Sequence, residues 1–166
     1  MKKNLKLLIN FFIFLIISGC DSNNGTESNI PENGTISGTI TFIGEWPEDG
    51  EITVSLSPTW PPQGIPSAYD IITINDLINN TYVYIFENIT FGTYGGITVA
   101  WEDPNDSNLA TQKHILGASS GSYPFISQYG GVNPNPIIIS ESEYYLNELN
   151  ITANLNIINN NWSRKL

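Results

Sequence analysis

Ile36-Ser37-Gly38-Thr39-Ile40-Thr41-Phe42 alternates apolar or small residues with hydroxyl-bearing ones. A period of two sends one set to a core and the other to water, the pattern of a half-buried β-strand. The alternation returns in Ile52, Val54 and Leu56 against Thr53, Ser55 and Ser57. Between the two, Gly44-Glu45-Trp46-Pro47-Glu48-Asp49-Gly50 reads as a turn, with glycine at both ends and a proline inside. Further strands are expected at 69–75, 82–88, 94–101, 113–117, 136–140 and 148–158. In the last, Ile151, Ala153, Leu155 and Ile157 would form one face. No segment carries a helical apolar stripe beyond one short turn at 141–149. Short strands separated by Gly and Pro predict an all-β fold, a single antiparallel β-sandwich of seven or eight strands with Greek-key connections.

The N-terminus reads differently. Lys2, Lys3 and Lys6 precede an apolar run from Leu7 to Ile17, followed by Ser18, Gly19 and Cys20. A basic start, a short apolar run and small residues are the three parts of a secretory signal. The run is too short for a permanent span, which needs roughly 20 apolar residues. Ile17-Ser18-Gly19-Cys20 resembles the lipobox of bacterial lipoproteins. That resemblance implies cleavage before Cys20 and a lipid, palmitate among its acyl chains, on the only thiol of the chain. Residues 1–19 are expected to be the signal peptide and 20–34 a lipidated flexible tether, since 21–34 is polar and Gly-rich. Residues 35–160 form the sandwich and 161–166 a C-terminal tail. The expected location is the bacterial cell envelope, outside the cytoplasm, on the outer membrane and cell surface or facing the periplasm. Asp21 resembles the inner-membrane retention signal of enteric bacteria.

Cleavage would remove three of the six basic residues. Lys113, Arg164 and Lys165 would then stand against sixteen acids, a formal charge of −13. Nucleic acid and anionic headgroups repel such a surface. The expected partners are the membrane, through the anchor, and an envelope protein or glycan. The chain is read as a monomer.

Tyr82-Val83-Tyr84-Ile85-Phe86-Glu87-Asn88-Ile89-Thr90-Phe91-Gly92-Thr93-Tyr94, continuing through Ile97 and Val99, resembles the hallmark of carboxypeptidase-regulatory-like domains. The stretches 36–41 and 52–56 resemble that family's first hairpin. The resemblance covers roughly 34–101. It implies a transthyretin-like (prealbumin-like) sandwich, related in architecture to Ig-like folds, that acts as a spacer, scaffold or binding module without catalysis. In this motif Gly92 would take a positive φ in a tight turn, and the Tyr94 hydroxyl would reach the turn backbone. The stretch 103–136 departs from the family by its length and its Gly and Ser content. The isopeptide cross-link of the related B-type adhesin modules needs a lysine on the first strand, and none is there.

Catalytic signals are sparse. Gly117-Ala118-Ser119-Ser120-Gly121 matches a nucleophile elbow by letter. An elbow needs a following helix and a later histidine, and the only histidine, His114, comes before it. One histidine and no free cysteine leave no zinc ligand set. Asp103, Asn105 and Asp106 offer oxygen ligands suited to calcium, but also suit a solvated Asx turn. No cofactor and no enzymatic activity are expected. Trp46 and Trp60 in Pro-bearing turns, Trp101 at a strand end, and Tyr123 and Tyr129 in the Gly/Ser segment are candidate ligand or partner contacts. They serve equally as caps on the sandwich core. The expected function is that of a lipid-anchored scaffold or protein-interaction module. The alternative is a substrate-capture lipoprotein that binds glycans through these aromatics.

Overall fold

Alternation in the sequence becomes alternation in burial over 33–43, 51–56 and 151–154, whereas 96–101 is buried on both faces. The computed structural model describes residues 31–108 and 112–159. Its strands are β1 (Asn33–Ile43), β2 (Glu51–Ser57), β3 (Ala68–Ile72), β4 (Thr81–Thr90), β5 (Gly92–Tyr94), β6 (Gly96–Glu102), β7 (Lys113–Ala118), β8 (Ile137–Ile139), β9 (Tyr145–Leu146) and β10 (Ile151–Asn154). One sheet has the order β10-β1-β4, with β9 also on β1. The second has the order β3-β2-β6-β7, and β5 pairs with β8 in a small ribbon. Ile36, Ile40, Phe42, Tyr84 and Phe86 from the first sheet meet Ile52, Val54, Leu56, Ile97, Val99 and Leu116 from the second in one buried cluster. The protein is therefore the expected all-β sandwich. Among the described residues no helix is long and apolar enough to cross a membrane.

The stretch expected as a short helical turn, 141–149, is instead the approach to a strand. β9 and β10 run parallel to β1, pairing Thr35 with Tyr145 and Ile40 with Ile151. The direction follows from where the chain starts. β8 lies on β5, beside the beginning of β1, so the chain climbs β1 in that strand's own sense. Between β9 and β10 the ladder is irregular. Glu148 sits at φ +58°, the Leu149 N–H donates to the Ser37 carbonyl, and the Thr39 N–H donates to the Asn150 side-chain carbonyl at 2.9 Å. A side-chain amide thus stands in for a missing ladder partner.

Four other expected strands are shorter: 69–75 ends at Ile72 and gives way to a 3-10 turn at Ile74–Asp76, and 136–140 is reduced to Ile137–Ile139. The 148–158 strand ends at Asn154, and Asn156–Asn159 (α1) is a single helical turn. β1 has ended by then, so no neighbour remains to extend the ladder, and the Asn154 side chain accepts from the Asn156 N–H. The 94–101 strand divides at Gly95-Gly96, where the chain crosses from β5 to the second sheet as β6. The sandwich also begins two residues early: Asn33 and Gly34 already pair with Thr90 and Ile89.

β4 contains a bulge that the alternation did not announce. Glu87 and Asn88 together oppose Thr35, and Asn88 takes φ +57°. This lets Phe86 and Ile89, three residues apart, both face the core. Asn tolerates the left-handed region and a β-branched residue does not. Asn88→Val is therefore expected to cost about 1–2 kcal/mol in chemical denaturation, while Asn88→Gly stays within about 0.5 kcal/mol of the parent.

Candidate functional site

The sandwich has two unlike ends. At the distal end β1 runs into the 44–50 loop, and at the proximal end the chain enters β1. Trp46 and Trp101 belong to the distal end. The Trp46 ring meets Phe42 edge-on at 5.2 Å between centroids and packs against the core. Trp101 is buried, stacks on His114 at 5.6 Å, and donates Nε1–H to the Asp49 carbonyl at 3.0 Å. Both indoles therefore cap the core here.

Trp60 lies at the other end of β2, roughly 20 Å away by strand length. Its half-buried ring rests near Gly96 and Pro134, and its buried Nε1–H has no hydrogen-bond partner among the described residues. Tyr123 and Tyr129 share this proximal end and are about half exposed, at 53 % and 54 %. A single aromatic platform containing both Trp46 and Trp60 does not form, because β2 separates them.

Three loops build the proximal end: 58–67, 91–96 and 119–136. Gly95 N–H donates to the Ser57 carbonyl, Ser119 N–H to the Ile97 carbonyl, and Ser122 and Val132 exchange backbone hydrogen bonds. The Tyr94 hydroxyl donates to the Thr90 carbonyl at 2.6 Å, and burial raises its pKa. The hydroxyl thus reaches the turn backbone as expected. Gly92 departs from expectation: its φ is not left-handed, and nothing lies within 4 Å of where a Cβ would stand. The unusual backbone of this motif falls on Asn88 and Gly96 instead.

Charge separates the ends. Glu45, Glu48, Asp49, Glu51, Asp76, Glu102, Asp103 and Asp106 lie in or beside the distal loops, with Lys113 bound to Glu102 at 3.4 Å. None of the three proximal loops contains Asp, Glu, Lys, Arg or His. Glu32, at the entry to β1, and Glu141 and Glu143, in the β8–β9 turn beside it, lie at the same end outside these loops, and Glu87 lies near the end of β4.

At the calcium candidate, the Asp103 carboxylate accepts from the Asn105 N–H at 2.9 Å and the Asp106 carboxylate from the Asn108 N–H at 2.8 Å. These are consecutive Asx turns. No group of three His, Cys, Asp or Glu gathers among the described residues. In the elbow-like motif, Ser119 is buried and Ser120 takes φ +61°. A turn follows rather than a helix, and His114 is held against Trp101 near the start of β7. Cys20 lies outside the described residues.

The structure also shows a surface that the residue-by-residue reading missed. Tyr69 and Ile71 point outward from β3, and Val83 and Ile85 point outward from β4. β3 and β4 are edge strands of opposite sheets, tied together by the Tyr82 hydroxyl donating to Asp70 at 2.8 Å. Burial, then the Asp70 hydrogen bond and charge, push the Tyr82 pKa up to about 12. Tyr69 and Ile71 thus lie on the outer face of one sheet and Val83 and Ile85 on the outer face of the other, on either side of this seam. Their signal was the unbroken run Tyr82-Val83-Tyr84-Ile85-Phe86, where a one-sided strand would alternate.

Comparisons with protein-family models, curated proteins and solved structures returned no match for this chain.

Proposed function

We propose that this protein is a non-enzymatic component of the bacterial cell envelope, held to a membrane through lipidated Cys20, and that its transthyretin-like, carboxypeptidase-regulatory-like sandwich serves as a protein-interaction module. The lipobox-like Ile17-Ser18-Gly19-Cys20 supports the anchor. The Tyr94-to-Thr90 hydrogen bond is in keeping with the family resemblance. The observation that carries the interaction reading is the seam of Tyr69, Ile71, Val83 and Ile85. Exposed apolar side chains on regular strands, rather than on a loop, are rigidly held, the kind of surface that protein partners cover.

Two measurements test this. Cys20→Ala should abolish labelled fatty-acid incorporation and release the protein from membranes. A photo-crosslinking residue at Ile85 should give a discrete adduct in intact cells, whereas the same residue at Gln63 should not. Equal labelling at both positions, or none at Ile85, would remove the seam from consideration.

A further inference from the structure

The proximal end joins three observations that the interaction seam does not explain. Its loops are free of charge over the whole of 58–67, 91–96 and 119–136, in a chain that is otherwise strongly acidic. They expose large apolar side chains, with Ile65 at 88 %, and Tyr123, Tyr129 and Val132 each more than half exposed. The chain also enters β1 at this end, so the lipid proposed at Cys20 is attached here.

The geometry points to a bilayer as the occupant of this end. We propose that Ile65, Tyr123, Tyr129 and Val132 seat in the headgroup region of the membrane that carries the lipid, holding the sandwich upright with its acidic end outward. This rests on the lipid-anchor reading. Only Asp21–Ile30 separate Cys20 from Pro31, and ten residues span at most about 35 Å. β1 alone is about 35 Å long at ~3.3 Å per residue. The stretch is therefore no longer than β1, and the end of the domain that the chain leaves stays the end nearer the bilayer. Tyrosine rings suit that depth, apolar on the ring and polar at the hydroxyl. Glu32, Glu141 and Glu143 also lie at this end, but eight acids lie at the distal end, so anionic lipid repels the distal end more strongly.

The test uses the full-length lipidated protein in vesicles of pure phosphatidylcholine. Acylation occupies Cys20, so a cysteine introduced at Ile65→Cys, Tyr129→Cys or Glu48→Cys is the only thiol free to take a nitroxide. Labels at 65 and 129 are expected to lose collisions with a water-soluble nickel chelate several-fold relative to 48, and to gain collisions with oxygen. The label at 48 controls for the label's own affinity for lipid. If the protein floats with the vesicles while 65 and 129 stay as wet as 48, the docking is overturned and the anchor stands. If it does not float at all, both are overturned. Protection that appears only on adding a polysaccharide would reassign the end to a glycan and overturn the membrane contact.

Discussion

Tyr84→Ala is expected to destabilise the protein by about 3–5 kcal/mol, the range for deleting a buried aromatic. Tyr84 has no exposed surface, lies beside Phe86 at 5.3 Å between ring centroids, and belongs to the central cluster. Its hydroxyl donates to the Leu149 carbonyl at 2.6 Å, at the irregular step between β9 and β10. Gly38 sits on the same spot, where a Cβ would collide with the Leu149 carbonyl and the Tyr84 hydroxyl. A strand glycine and a buried hydroxyl together let the returning chain lie close to β1. Tyr84→Phe keeps the ring and removes the donor, and should cost about 1–2 kcal/mol.

The hydroxyl also sets an alkaline limit. Burial raises the Tyr84 pKa well above its ordinary value. Below pH 10 the group is neutral in both folded and unfolded chains, and its contribution is fully present. Above pH 10 the unfolded chain ionises first, so stability falls by about 1.4 kcal/mol per pH unit until the folded group also titrates. Tyr82, at about 12, adds a weaker effect in the same direction between pH 10 and 12, because water screens it. Denaturation midpoints measured from pH 8 to 12 should fall less steeply in Tyr84→Phe than in the parent. Parallel curves would show that the Tyr84 hydroxyl contributes nothing to the alkaline limb.

The parts of this architecture legible in the sequence are those where a side chain's own polarity decides its side. Ile36, Ile40 and Phe42 against Ser37, Thr39 and Thr41 could only make a one-sided strand. So could Ile52, Val54 and Leu56 against their hydroxyl neighbours. The Tyr94 hydroxyl was also legible, since a phenol packed against a turn reaches the nearest backbone acceptor. Illegible were the features carried by backbone. Parallel pairing of β9 and β10 rests on main-chain bonds and on the Asn150 amide, within a polar stretch that no periodicity marks. The β4 bulge rests on one asparagine accepting a left-handed φ. The candidate sites divide in the same way. Trp46 and Trp101 could be named as aromatic but not assigned to an end, because that depends on which way β2 and β6 run. The seam of Tyr69, Ile71, Val83 and Ile85 becomes a surface only once β3 and β4 meet. The charge-free proximal loops are visible in the spacing of Glu and Asp along the chain, but only topology brings the three together.

Glycine gives the sharpest contrast between motif and structure. Gly92 belongs to the family-like motif, yet its φ is ordinary and its Cβ position is open. Gly95 looks incidental in the sequence, but a Cβ there would run into the backbone of Thr59 and Trp60. Backbone atoms cannot rotate away as a side-chain tip can, so the strain must move either the 58–67 loop or the start of β6. Gly95→Ala should therefore cost about 3 kcal/mol, at the upper end for overpacking. That corresponds to a fall of roughly 10 °C in Tm for a domain of this size. Gly92→Ala should stay within about 0.5 kcal/mol of the parent. Gly95 N–H also donates to the Ser57 carbonyl at 2.8 Å, closing the β2 end against β6. Moving Gly95 therefore opens the packing under Trp60, and Gly95→Ala should shift Trp60 emission to the red, whereas Gly92→Ala should not. Equal thermal shifts in the two variants would mean that the close approach at Gly95 does not constrain the folded protein.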